Sequence, residues 1–300
     1  MNIWPSIKKL AIFISPILLL FLLKGMLSPP QNPPFLNQSE DDITTYFIGS
    51  SRVRSGLDPE VIRSCEDRGG AFCLGINNST FSHNLELVRY LASTRGSKAF
   101  FIEISPAKRD LPVSVVSAQR LIGTDILRLA LSASEGAGMQ ERLEIWEGYL
   151  SYYFSTLNLR ELIQPGAKPD VSSELRYDYT LENKYRQLNT FLRWRDLGAS
   201  PGIDVNWYLR KISELDSIAG KNKADIRFFL PLTFKTEAER VMSVSLYQAL
   251  PESLKVPYNE AFVQAVANPD FLYDANHLNH QGARLWSNFF CGYMSNKPPD

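Results

Sequence analysis

Thr44-Thr45-Tyr46-Phe47-Ile48-Gly49-Ser50-Ser51 is a β-branched and aromatic run that stops at Gly-Ser-Ser. Such a run reads as a buried strand, and the small residues after it read as a tight turn. Asp58-Pro59-Glu60 follows, a helix start with Pro at its first position. Ala71-Phe72-Cys73-Leu74-Gly75 is a second short strand ending in Gly, Asn77-Asn78-Ser79-Thr80 is a loop, and Asn84 to Ser93 has helical periodicity. Ala99 to Ile104 is a third strand, ending at Ser105-Pro106. Strands that alternate with helices need crossover connections, and these make a parallel α/β sheet.

Beyond residue 110 the rhythm breaks. Ser117 to Leu131, Gln140 to Leu157, Leu181 to Leu197 and Asn206 to Ala219 have helical periodicity, with a polar loop from Pro165 to Asp178. The span of about 111–220 reads as a helical insertion, of the kind that shapes access to a site. Its aromatic residues, among them Trp146, Tyr149, Trp194, Trp207 and Tyr208, suit either sugar stacking or a core. The sheet resumes at Ile226-Arg227-Phe228-Phe229-Leu230-Pro231-Leu232, followed by a helix over about Ala238 to Leu250. A short strand near Leu254 to Pro257 and a closing helix from Gly282 to Tyr293 complete the chain.

Composition excludes one large class of function. The 300 residues carry 32 basic and 32 acidic side chains, which cancel. Nucleic-acid binding leaves a basic footprint that is missing here. Lys8 and Lys9 precede an apolar run from Leu10 to Leu23, and no small-x-small cleavage site follows. Residues 1–27 are therefore expected to form an uncleaved signal anchor, a transmembrane helix. The basic residues before the run put the N-terminus in the cytoplasm and the rest outside. Residues 28–42 are a Pro-rich polar linker, and 43–300 form the α/β domain. Of three cysteines, Cys65 and Cys73 are near in sequence and suit a disulfide in an oxidising compartment, which would leave Cys291 over. Three reduced cysteines are the alternative.

The chemistry is concentrated in Asp274-Ala275-Asn276-His277-Leu278-Asn279. His is the side chain best suited to general-base work near neutral pH, and two of the three histidines, His277 and His280, lie here. An imidazole base is held in the right tautomer by a carboxylate, and it activates a serine hydroxyl. The turn at Gly49-Ser50-Ser51 supplies such a serine. Asp274, His277 and His280 are also spaced as metal ligands on adjacent helical turns would be. The residues between them argue for a loop leading into a helix, so the segment is read as metal-free, and no cofactor motif is present.

Phe47-Ile48-Gly49-Ser50-Ser51 resembles the first block of the SGNH (GDSL-type) hydrolases, with Ser50 where Asp usually stands. Gly75 is similar to the Gly of the second block, and Asp274-Ala275-Asn276-His277 to the closing Asp-x-x-His. The likeness extends to the membrane-anchored branch that contains the D-alanyl-lipoteichoic acid synthesis and alginate O-acetylation proteins. The resemblance implies a three-layer α/β/α domain with a mostly parallel, flavodoxin-like sheet. It implies Ser51 as nucleophile, His277 as base and Asp274 as its orienter, with the Ser51 and Gly75 N–H groups in the oxyanion hole. The third block, Gly-x-Asn-Asp, is replaced by Ile104-Ser105-Pro106-Ala107-Lys108, so Ser105, Asn77 or Asn78 would have to stand in for the missing Asn. Arg52 and Arg54 flank the turn, where they suit either a substrate phosphate or carboxylate or a solvated helix start.

The expectation is an extracytoplasmic, membrane-anchored serine acyltransferase or esterase acting on O-acyl groups of a cell-envelope or secreted polysaccharide. A membrane-bound O-acyltransferase is the partner the resemblance implies. The alternative is a non-catalytic subunit of the same fold that binds glycan or assists assembly.

Overall fold

The computed structural model describes residues 43–65, 70–95, 98–104, 126–155, 205–234, 237–258, 262, 268–273 and 277–295. The anchor and linker read from residues 1–42 lie outside them. Among the described residues no helix is long and apolar enough to cross a membrane.

Among the described residues four strands form one parallel sheet in the order β2-β1-β3-β4. They are β1 (Ile43–Gly49), β2 (Gly70–Gly75), β3 (Ala99–Glu103) and β4 (Asp225–Phe229). β4 is shorter than its apolar run, since Pro231 has no N–H for a ladder. The stretch expected to be a short strand near Leu254 makes a single bridge instead, Phe228 with Lys255, and Val256 N–H donates to Phe228 O at 2.9 Å.

Side chains alternate across the strands, and both faces are covered. Tyr46, Ile48, Phe100, Ile102, Ile226 and Phe228 enter one core. That core is roofed by α3 (Phe81–Arg95), α6 (Val205–Lys221) and α7 (Glu237–Ala249). Phe47, Phe101 and Phe229 enter the other, under α1 (Ser51–Gly56), α2 (Pro59–Ser64) and α8 (His280–Ser295). This is a three-layer α/β/α arrangement. Helices α4 (Ile126–Ser134) and α5 (Met139–Ser155) form a hairpin with a small cluster of its own around Leu129, Ala133 and Ile145.

The insertion is shorter at its C-terminal end than the sequence suggests. Val205–Lys221 belongs to the main core, where Trp207, Tyr208, Ile212, Leu215 and Ala219 are buried against the sheet cluster. It is the crossover helix that delivers the chain to β4. Trp207 and Tyr208, 1 % and 2 % exposed, are therefore core residues and not sugar platforms. Trp146 and Tyr149 meet edge to face in the α4–α5 hairpin.

The cysteine pairing also differs from the sequence expectation. Cys65, at the C-cap of α2, pairs with Cys291 in α8, and Cys73 is free. Proximity in sequence favours Cys73, but Cys73 lies in β2 while α2 and α8 pack side by side.

Candidate active site

In an open parallel sheet the ligand crevice lies at the carboxyl ends of the strands, where neighbouring strands are connected in opposite directions. Here that point is between β1 and β3, since β1 leads out to β2 on one side and β3 leads to β4 on the other. The turn at Gly49-Ser50-Ser51 is the carboxyl end of β1.

Ser50 is the N-cap of α1, in extended conformation, and its Oγ accepts the Arg52 N–H at 3.2 Å. Ser51 is thereby the first helical residue. Its N–H belongs to the turn whose donors the helix itself leaves unsatisfied. Two glycines allow the approach. A Cβ on Gly49 would overlap the Glu103 carboxylate and the Val53 side chain. A Cβ on Gly75 would overlap the backbone of Arg54, 2.6 Å from its Cα. Gly75 is aligned with Gly49 in the β1–β2 ladder, and Ile76 N–H donates to Gly49 O at 2.9 Å.

His277 arrives from the far end of the chain. Leu272 and Leu278 bridge as antiparallel partners, and Tyr273 N–H donates to His277 O at 2.9 Å. Asn279 N–H donates to Phe271 O at 2.8 Å, while the Asn279 side chain caps α8 by accepting Gly282 N–H at 3.1 Å. Gly282 is needed because a Cβ there would lie 2.6 Å from Phe271 O. The helix is anchored by Trp286 and Phe290, 1 % and 0 % exposed, which pack on Phe229 at ring separations of 5.6 and 5.1 Å.

The result is a contact across 226 residues: His277 Nε2 lies 2.9 Å from Ser51 Oγ. That is hydrogen-bond reach between a nucleophile and its base. Asp274 and Ser105 lie outside the described residues. Asn77 is exposed in the turn after β2, and Asn78 beside it has φ 59°. His280, in the first turn of α8, has its Nδ1 3.8 Å from the Asp58 carboxylate. His83 is buried at the start of α3, where its Nδ1 accepts the Thr80 N–H at 3.1 Å as a helix-capping group.

Arg52 does not present its charge to solvent. It is 5 % exposed, and its Nε donates to Glu103 Oε1 at 3.0 Å. Its Nη1 donates to Thr233 O at 3.0 Å, and its Nη2 pairs with Glu239 at 2.5 Å. Glu103 is fully buried and also accepts the Ser50 N–H at 2.6 Å and the Ser50 hydroxyl at 3.1 Å. Burial pushes the Glu103 carboxyl up from its ordinary value, against the opposing pull of Arg52 and of the Ser50 donors. Arg54 is half-buried, with its backbone against Gly75.

Glu103 is absent from the motif reading because its signal is a single residue. It is the one charge at the end of the apolar strand Ala99-Phe100-Phe101-Ile102, and a charge closing a buried strand must find partners. No protein-family model, no curated protein and no solved structure matches the chain.

Proposed function

We propose that this chain is a serine acyltransferase or esterase working through Ser51 and His277, with Asp274 as the orienting carboxylate. The single observation that carries the reading is the 2.9 Å approach of Ser51 Oγ to His277 Nε2 at the carboxyl end of a parallel sheet. In this reading Ser51 Oγ attacks an ester carbonyl and its proton passes to His277 Nε2. The tetrahedral oxyanion faces the N–H groups of Ser51 and Gly75. Collapse expels the first alcohol, which takes the proton from His277, and leaves an acyl group on Ser51. A second hydroxyl then gives its proton to His277 and takes the acyl group. If that hydroxyl belongs to a sugar the reaction is transfer, and if it is water the reaction is hydrolysis.

The proposed substrate is an O-acylated polysaccharide of the envelope, reached from a membrane anchor in residues 1–27. The Cys65–Cys291 disulfide supports an oxidising, extracytoplasmic compartment. The direct test is a fluorophosphonate probe followed by peptide mapping. Labelling on Ser51 that disappears in His277→Ala is expected. A folded wild-type protein that takes no label at Ser51 would sink the reading.

A further inference from the structure

Ser51 sits between two residues gripped by the same buried side chain. On its N-terminal side, the Ser50 N–H and hydroxyl both donate to Glu103, at 2.6 and 3.1 Å. On its C-terminal side, Arg52 Nε donates to Glu103 Oε1 at 3.0 Å and to Ser50 Oγ at 3.4 Å. Arg52 is in turn tied to the loop after β4 through Thr233 O, and to α7 through Glu239. Glu103 itself ends β3, the strand across the crevice, and its backbone oxygen accepts from Asn84 Nδ2 at 3.1 Å. A carboxylate is acceptor-only, so all three donors that converge on it are satisfied in one orientation. An amide in the same place would turn a donor toward one of them.

We infer that Glu103 is a positioning residue: it clamps the residues on both sides of Ser51, and so fixes the aim of Ser51 Oγ at His277 Nε2. The inference rests on the Ser51–His277 reading above. It also assigns a use to the end of β3, where the sequence lacks the expected oxyanion Asn: this strand end supports the nucleophile turn from beneath. Glu239 makes a useful comparison. It pairs with the same guanidinium, 2.5 Å from Nη2, but reaches it from α7. A merely structural role for the buried charges predicts that loss of either carboxylate acts through stability alone. Positioning predicts that only Glu103 changes the reactivity of Ser51 in protein that is still folded.

The experiment measures the second-order rate of fluorophosphonate labelling at Ser51 in E103Q, E103D and E239Q, on the full chain with its disulfide intact. It is paired with the His277 imidazole nitrogen resonances by NMR. E103Q is expected to label at least about 10-fold more slowly at a temperature where it is fully folded, since small displacements of reacting groups cost that much or more. E239Q is expected within about 3-fold of wild type under the same conditions. If E103Q does not fold, E103D, which keeps the charge but shortens the reach, carries the same expected loss. Equal rates for E103Q or E103D and wild type overturn the inference. Should wild type itself take no label, the catalytic reading fails, and the resonances alone decide the positioning. A His277 shift in the Glu103 variant that matches the one in Ser51→Ala supports it, and unchanged resonances overturn it.

Discussion

Cys65 and Cys291 are joined with their Cα atoms 5.4 Å apart, binding the end of α2 to the middle of α8. The first of these helices comes just after α1, which starts at Ser51, and the second is launched from the loop that carries His277. The cross-link therefore holds together the two segments that must meet at Ser51 and His277. Mapping without reduction should recover a peptide pair that contains Cys65 and Cys291. Cys73, half-buried with its thiol pushed up to about 12 by burial, should alkylate slowly until the protein unfolds. Cys291→Ser is expected to cost about 2–4 kcal/mol in denaturant unfolding. A cross-linked peptide of Cys65 with Cys73 would refute the pairing.

Arg52 and Arg54 separate by the same kind of measurement. Arg52→Ala leaves the carboxylates of Glu103 and Glu239 without the guanidinium that both face, and a buried pair broken on one side costs about 3–5 kcal/mol. Arg54→Ala removes a half-buried side chain and should stay within about 1 kcal/mol. Urea titrations of the two variants give the comparison. An Arg52→Ala protein of wild-type stability would mean that the guanidinium is available for a ligand.

The strand-turn-helix start was legible because each step has a local cause. A continuous β-branched and aromatic run makes β1, Asp58 and Pro59 start α2, and Asp58 Oδ1 does accept from Glu60 N–H at 3.0 Å and Val61 N–H at 3.4 Å. His277 stood out by residue type, as one of three histidines, whereas Ser51 was separated from its neighbour Ser50 only by the motif resemblance. The Glu103–Arg52–Glu239 network could not be read, since its members are separated by 51 and 136 or more residues, and a charge that closes a buried strand does not name its partners. The same holds for Val205–Lys221. Its periodicity gives a helix, but only tertiary packing distinguishes a crossover in the core from the end of an insertion.

Glu103 should leave its mark on the pH dependence of stability, with a sign opposite to that of a surface carboxylate. Its folded-state value is raised by burial, so in the window above the ordinary Glu value the native state holds more protons than the unfolded chain. Stability from this group is then full below its unfolded value and is lost as pH rises through the folded one. The difference in unfolding free energy between wild type and E103Q should therefore shrink with rising pH across that window. A difference that grows with pH would show that the ion pair and the Ser50 donors outweigh burial.

Glycines test the close approach at the turn. At Gly75 a Cβ would run into the backbone of Arg54, which cannot swing aside as a side chain could, so α1 must move away from β2. Overpacking of this kind costs about 1–3 kcal/mol, and here it also shifts the helix whose first residue is Ser51. Gly75→Ala should lower both the midpoint of unfolding and the labelling rate at Ser51. Gly220 gives the contrast. It is exposed near the end of α6, a Cβ there would meet nothing within 4 Å, and it is far in the chain from the turn. Replacing it by Ala should stabilise the helix by about 0.5–1 kcal/mol and leave labelling unchanged. If Gly75→Ala is as benign as Gly220→Ala, the packing of β2 against α1 is looser than the geometry at Arg54 requires.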